Sequence, residues 1–246
     1  QAFIVLPKGS DARRAVLIGA GKKDKRDARV LEGLGANLYK SHSSSGFKSL
    51  AVHAGSAEDA ARIALGAKLA SYRFDTYFTK LKDDQKPSLE SVTLVVSDVP
   101  AAEAAFVPLN AGAEGTKLAR DLVNMPPNDL YPASFAEKCR ELGQYGVQVE
   151  VLGEAELAKL GMNSMLGVGQ GSVKESQLGV MKWMGGAEGE DPVILIGKGV
   201  CFDTGGISLK PGPGMEDMRG DMGGAAAVTG AIRALAERKA KVNVIG

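Results

Sequence analysis

An apolar segment followed directly by glycine and charged residues reads Pro192-Val193-Ile194-Leu195-Ile196-Gly197-Lys198-Gly199-Val200-Cys201-Phe202-Asp203-Thr204-Gly205-Gly206. The four apolar residues 193–196, three of them β-branched, predict a strand. A helix of small residues over 224–237 and a second apolar strand over 242–246 follow. A strand, a helix and a strand in succession indicate an α/β layer, in which ligands bind beyond the carboxyl ends of the strands.

The rest of the chain repeats this alternation of short apolar runs with helical periodicity. Strands are predicted over residues 15–18, 50–53, 92–96, 147–152 and 178–183. Helices are predicted over 57–69 with Ser56 as the cap, over a long segment that ends before Pro126, over 132–143 and over 154–160. A shift in composition places a domain boundary near residue 108. We therefore predict two α/β domains, 1–107 and 108–246, with mainly parallel or mixed sheets flanked by helices, the second domain being truncated.

Composition and charge exclude several classes of protein. Lys and Arg total 30 against 29 for Asp and Glu, so the net charge of +1 offers no global attraction for nucleic acid or an anionic membrane. Two cysteines, Cys139 and Cys201, are too few for a disulfide framework. No apolar run approaches the ~20 residues of a membrane span, and no signal peptide precedes the first strand. We expect a cytoplasmic protein without a membrane partner.

Glycine is enriched, and nine of its 32 copies fall within residues 197–224. There two lysines, Lys198 and Lys210, and the carboxylates Asp203 and Asp221 alternate with residues that have little or no side chain. The backbone can therefore fold tightly and direct the charged groups at one point. Partial desolvation beside the strand would let Lys198 lose its proton and act as a base or a metal ligand. The ordinary interpretations are a solvated lysine and aspartates in turns or caps.

Residues 197–226 resemble the signature of the leucyl (cytosol) aminopeptidase family of metallopeptidases. The matching residues are Gly197-Lys198-Gly199, Phe202-Asp203-Thr204-Gly205-Gly206, Lys210-Pro211, Met218 and Asp221-Met222. Two upstream blocks, residues 119–128 and 167–172, are similar to further family blocks in the same order. Residues 1–107 fit the amino-terminal domain of the family less specifically. On this resemblance, 108–246 begins the metallopeptidase catalytic domain.

The resemblance implies an aminopeptidase that uses two divalent cations, Mn²⁺, Zn²⁺ or Mg²⁺. Lys198, Asp203 and Asp221 would be metal ligands, with Asp203 bridging both ions. Lys210 would face the substrate carbonyl, where its charge would stabilise an oxyanion. Met218 is similar to a residue lining the pocket for the first peptide side chain, leucine-like residues being preferred, although a core methionine is the alternative. The family also implies peptide substrates and a homohexamer.

One part of the family pattern has no match in this sequence. A later block resembling Asn-Thr-Asp-Ala-Glu-Gly-Arg supplies further metal ligands and an arginine in the family, and no segment of 1–246 matches it. The chain alone is therefore expected not to complete a dinuclear site, and we expect the natural polypeptide to continue or the remainder to be supplied separately. A different class of function stays open, a DNA-binding or assembly scaffold with a vestigial metal loop, because some members of the family bind DNA.

Three other motifs carry weaker signals. Gly19-Ala20-Gly21-Lys22 suggests a phosphate-binding loop but lacks the required spacing, so a plain turn is expected. His42 and His53 have no serine or cysteine elbow nearby, so structural or exposed roles are expected. The basic run 22–26 is expected to be a solvated helix start.

Overall fold

The computed structural model describes residues 2–4, 14–22 and 25–246. Its contacts divide the chain into two compact units. The first contains the residues up to Tyr72 together with Phe78–Phe106, and the second contains Arg73–Tyr77 together with Val107–Gly246. Among the described residues, no helix combines the length and apolar character needed to cross a membrane.

The first unit pairs short strands with two long helices. Its elements are β1 (Ala2–Ile4), β2 (Ala15–Leu17), α1 (Ala28–His42), β3 (Ser49–His53), α2 (Ala57–Ala70) and β4 (Ser91–Val95). Strand β3 runs parallel to β4, whereas β1 runs antiparallel to β2. Leu31, Leu38 and Ile63 are the buried centre of the core that α1 and α2 form with the β3–β4 pair. The predicted cap of α2 is confirmed, because Ser56 accepts a hydrogen bond from the Asp59 N–H at 3.1 Å.

The motifs with weaker signals in this unit have ordinary structural roles where they are described. His42 ends α1 and is buried, with its Nδ1 3.0 Å from the Leu38 carbonyl. His53 lies at the exposed end of β3. Gly21 has a positive φ of 73° in the loop after β2, as expected of a turn. Of the basic run, Lys23 and Asp24 lie outside the described residues.

The second unit begins in a long helix that the first unit shares. Helix α3 (Val99–Asn124) belongs to the first unit as far as Phe106 and to the second from Val107. The elements that follow are α4 (Pro132–Arg140), β5 (Gln148–Leu152), α5 (Glu154–Lys159), α6 (Asn163–Gly169), β6 (Leu178–Met184), β7 (Val193–Ile194), α7 (Gly223–Glu237) and β8 (Asn243–Ile245). The helix predicted over 132–143 ends at Arg140 and continues as a 3-10 helix, Glu141–Tyr145.

The four strands of this unit form one mixed sheet in the order β5-β6-β8-β7. Helix α7 returns the chain from β7 to β8, and this crossover makes the two strands parallel, with Val193 opposite Val244. The other two pairings are antiparallel. On its core side α7 buries Ala226, Ile232 and Ala236 against the sheet. The mixed α/β class predicted from the sequence is confirmed.

Strand β7 is shorter than its prediction. It spans only Val193–Ile194 and lies at the edge of the sheet. The exposed fractions of Val193, Ile194 and Ile196 are 53%, 55% and 91%. Among the described residues, β8 covers one side of β7 and no element pairs with the other.

Candidate functional site

The segment after β7 runs from the sheet to the beginning of α7. Leu195 extends the pairing by donating its N–H to the Ile245 carbonyl at 2.8 Å. Three residues later the partner changes, because the Lys198 carbonyl accepts from the Ala225 N–H in the first turn of α7, also at 2.8 Å. The backbone of Lys198 is therefore fixed against the helix, while its side chain is exposed.

Lys198 and Asp221 form the first of two ion pairs. Lys198 Nζ lies 2.7 Å from Asp221 Oδ2, although the two residues come from different segments. Asp221 follows the 3-10 helix Met215–Gly220, and its N–H donates to the Met218 carbonyl at 3.1 Å. Asp221 Oδ2 is shielded from solvent and accepts no hydrogen bond of normal geometry, so the ion pair is its contact among the described residues.

The environment of Lys198 keeps it protonated. Asp221 beside it raises the pKa of Lys198, and the charge of Asp203 adds to the effect. Desolvation opposes this effect and is outweighed by Asp221, so the partial desolvation expected from the sequence does not free the Lys198 amine of its proton.

Asp203 and Lys210 form the second ion pair across a tight turn. Asp203 Oδ1 accepts from the Gly205 N–H at 2.8 Å, and Lys210 donates its N–H to the Thr204 carbonyl at 2.9 Å. Gly205 and Gly206 have positive φ values of 91° and 70°, which favour glycine. The turn brings Lys210 Nζ to 2.9 Å from Asp203 Oδ2. Lys210 and, secondly, the Gly205 N–H hold the pKa of Asp203 below its usual value.

Met218 completes the group of predicted site residues. Lys210 Nζ donates to Met218 Sδ at 3.0 Å, so one ammonium contacts both the Asp203 carboxylate and this thioether. Met218 is partly buried, and its backbone carbonyl accepts from Asp221. The structure thus brings together all five predicted residues, Lys198, Asp203, Lys210, Met218 and Asp221.

The donor set fits a divalent cation only if lysine takes part. In the part of the chain that the structure describes, no group of three or more His, Cys, Asp or Glu side chains is arranged to hold a metal. The site offers two carboxylates and one amine, a set of hard oxygens and a borderline nitrogen. Asp221 Oδ2 is shielded from solvent and lies beside the Lys198 ammonium, so a positive charge already occupies the position that a metal cation would take.

The two upstream blocks occupy different places. In the first, Val123 of α3 lies beside the residues that flank Asp221, so that a Cβ at Gly220 or Gly223 would be 3.7 or 3.8 Å from a Val123 methyl carbon. This block therefore packs against the backbone on either side of Asp221. The second, residues 167–172, lines part of a cavity of about 460 Å³ together with Glu154 and Asn163.

The sequence matches two family models over most of its length. Residues 2–81 match the N-terminal domain of the cytosol aminopeptidase family. Residues 117–246, which contain the whole of the site, match the catalytic domain of the same family. The chain belongs to the cytosol aminopeptidase family. The resemblance stated from the sequence motifs is thereby confirmed.

Curated relatives in the cytosol aminopeptidase family are about twice as long as this chain. A probable cytosol aminopeptidase of Caulobacter vibrioides is 51% identical over 245 residues, covering 99% of this chain and 50% of the relative. One of Agrobacterium fabrum is 52% identical over 249 residues, with the same coverage. The chain spans about half the length of the curated relatives it matches.

Solved structures share the fold of this family member. The bottromycin maturation enzyme BotP in complex with Mn superposes with a TM-score of 0.81 at 31% identity, covering 100% of this chain and 52% of that one. A mutant of tomato leucine aminopeptidase superposes with a TM-score of 0.79 at 27% identity, covering 99% and 48%.

The sequence did not predict the contacts between the segment that follows β7 and the first turn of α7. They are the hydrogen bond from Ala225 to Lys198 and the close approach of Gly197 to Gly224. The available signal was the run of small residues that begins α7, which permits a backbone to lie directly against the helix.

Proposed function

We propose that this chain is the amino-terminal part of a metal-dependent aminopeptidase that releases amino-terminal residues, leucine-like ones preferred, from peptides. The observation that carries the proposal is the pairing of Lys198 with Asp221 and of Lys210 with Asp203 in one group of side chains. Membership of the cytosol aminopeptidase family supports the peptidase activity. In our proposed division, residues 1–107 form an amino-terminal α/β domain and 108–246 begin the catalytic one.

Three side chains are proposed as ligands of two divalent cations, Mn²⁺, Zn²⁺ or Mg²⁺. Asp203 and Asp221 would contribute carboxylate oxygens, Asp203 to both ions, and Lys198 would contribute its amine after losing its proton. Bound cations would lower the pKa of a water molecule and polarise the peptide carbonyl. Further ligands would have to come from outside residues 25–246, since the described residues hold no larger acidic or histidine cluster.

Lys210 is proposed as the group that stabilises negative charge on the scissile carbonyl. An ammonium has three N–H donors, and Asp203 and Met218 each accept one of them. The third remains to donate to a substrate oxygen. Because the Asp203 carboxylate and the turn hold the ammonium in place beforehand, little reorganisation is needed when charge develops.

Met218 is proposed as part of the pocket for the first side chain of the peptide. Its sulfur is held by Lys210, so the pocket and the charge-stabilising group share a contact. The flexible, polarisable thioether suits apolar side chains of several shapes. Peptide substrates, assembly as a homohexamer and a cytoplasmic location complete the proposal.

Hydrolysis of leucine p-nitroanilide by the full natural polypeptide tests this function. We expect turnover with added Mn²⁺ or Zn²⁺, its loss after thorough chelation, and its return when metal is restored. Activity undiminished by chelation would overturn the metal-dependent mechanism. The scaffold alternative is not favoured, because the chain belongs to a peptidase family and has a net charge of only +1. A gel shift that weakens steeply with salt, without hydrolysis, would support that alternative.

A further inference from the structure

We infer that Gly224 is a positioning residue that sets the distance between the proposed metal donors Lys198 and Asp221. The inference rests on the proposed function. The two donors belong to separate segments, one following β7 and the other preceding α7. Their side chains meet at 2.7 Å because the two backbones touch a few residues away.

Besides the ion pair, backbone atoms bring these segments into direct contact at the start of α7. The Ala225 N–H donates to the Lys198 carbonyl at 2.8 Å. A Cβ at Gly224 would lie 2.8 Å from the Lys198 nitrogen, and one at Gly197 would meet the Gly224 carbonyl oxygen. With glycine at both positions, no side chain separates the strand end from the helix.

A single methyl group at Gly224 would move Lys198 by more than a metal site tolerates. Ordinary van der Waals contact begins at 3.4 Å, so the 2.8 Å separation requires a shift of roughly 0.6 Å, the difference between the two. Metal–ligand distances are held within about 0.2 Å of their preferred values. The displacement moves the base of the Lys198 side chain relative to Asp221, so the side chain must change rotamer to keep its amine in place; if the Ala225 hydrogen bond breaks instead, Lys198 loses its fixed backbone.

Two neighbouring glycines in the same helical turn allow an effect on the position of Lys198 to be distinguished from a general effect of alanine on the stability of the helix. Gly224→Ala is compared with Gly223→Ala, because a Cβ at Gly223 would lie at an ordinary 3.8 Å from Val123 Cγ2. Mn²⁺ affinity of the full natural polypeptide is measured by titration calorimetry, and the Mn²⁺ environment by electron paramagnetic resonance, well below the melting temperature of each variant. We expect Gly224→Ala to weaken Mn²⁺ binding about 10- to 100-fold and to alter the spectrum. Gly223→Ala should match the wild type in both measurements.

The outcomes distinguish this inference from the proposed function. A wild-type protein that binds no Mn²⁺ overturns the proposed function and the inference with it. Equal Mn²⁺ affinities of the wild type and folded Gly224→Ala overturn the inference alone, as does an equal loss in Gly223→Ala.

Amide hydrogen exchange of the wild type decides the question if Gly224→Ala does not fold. If the backbone contact and the metal donors are coupled, Mn²⁺ should slow exchange of the Ala225 amide more than that of the Gly246 amide. The latter is bonded to the Met181 carbonyl at 2.8 Å in the sheet and serves as the internal control. Equal slowing of both amides, or no slowing of Ala225, overturns the inference.

Discussion

Lys210 Nζ lies 2.9 Å from Asp203 Oδ2 and, at the same time, 3.0 Å from Met218 Sδ. One ammonium therefore joins a proposed metal ligand to a proposed wall of the substrate pocket. Because the three side chains are in contact, the effects of substituting two of them together on turnover should be non-additive. The contact makes Lys210 the residue whose replacement is most informative.

Lys210→Ala should remove most turnover while leaving metal binding largely intact. Loss of a preorganised donor to developing negative charge costs about 10²–10³ in kcat. The measurement is kcat for leucine p-nitroanilide, together with a Mn²⁺ titration of the same sample. Lys182→Ala is the matched control, because Lys182 pairs with Glu150 on the neighbouring strand at 3.5 Å. Full activity of Lys210→Ala would contradict the assigned role.

Asp221→Asn should remove metal binding together with activity. The carboxamide is neutral and a poorer ligand, and removal of a direct ligand should cost at least the ~100-fold in affinity that loss of an outer partner can cost. Mn²⁺ titration calorimetry measures the change. Asp217→Asn provides the comparison, since Asp217 lies in the preceding 3-10 helix with its side chain 73% exposed. Similar Mn²⁺ affinities of the two variants would argue against Asp221 as a ligand.

Gly115→Ala should destabilise the second unit by about 1–3 kcal/mol, the usual cost of overpacking. A Cβ there would meet the Gly230 carbonyl oxygen and lie 3.1 Å from Ala234 Cβ, so α3 and α7 would have to separate. Gly112→Ala, one turn earlier in α3, meets no atom within 4 Å and should stabilise by about 0.5–1 kcal/mol. Urea unfolding monitored by circular dichroism gives both values. The same sign of change for both variants would contradict the tight helix contact.

Tyr77 should ionise at higher pH than an ordinary tyrosine. Its hydrogen bond to Asp129, with burial and the carboxylate charge as smaller causes, raises the pKa of Tyr77 to about 12. The raised value favours the neutral phenol in the folded protein. Its contribution to stability is therefore present below about pH 10, the unfolded pKa, and is lost as the pH rises through 12.

Ultraviolet titration of phenolate absorbance tests the assignment of Tyr77. Asp129→Asn should return the late-ionising phenol towards pH 10, whereas Asp75→Asn should not. Asp75 is a suitable control because it is two residues away in sequence and pairs with Arg73 at 3.4 Å. A titration curve unaffected by Asp129→Asn would show that another cause delays ionisation.

Local signals in the sequence predict the helices that follow common patterns. Helix α2 begins after Ser56 and α3 ends just before Pro126, as a capping serine and a proline dictate. The basic run 22–26 predicts a helix start, and α1 begins close by at Ala28 with Asp27 as its cap, but the extent of this helix, which includes two glycines, lacked a prediction. One of them, Gly35, faces the Ile63 backbone of α2. Glycine is needed there because the two helices pack closely, which no local sequence pattern reveals.

Residue identities in the site were predictable, but their pairing was not. The glycine-rich signature selects Lys198, Asp203 and Asp221 as one group. Which lysine pairs with which aspartate depends on the turn at Gly205 and on the approach of α7, both of which are tertiary features. The raised pKa of Lys198 depends in turn on this pairing, because Asp221 is its main cause.

The position of β8 in the sheet delays assembly of the site during synthesis. Strand β8 lies between β6 and β7, although it is the last strand in the described chain. On the ribosome, β7 and the charged loop emerge before β8, the strand with which β7 pairs, so β7 has no partner strand until β8 is made. Lys198 gains its fixed backbone only after α7 has formed and Asn243–Ile245 has entered the gap. The ordered backbone at Lys198 therefore requires synthesis to have passed Ile245, even though the β7 residues that precede it are made some fifty residues earlier.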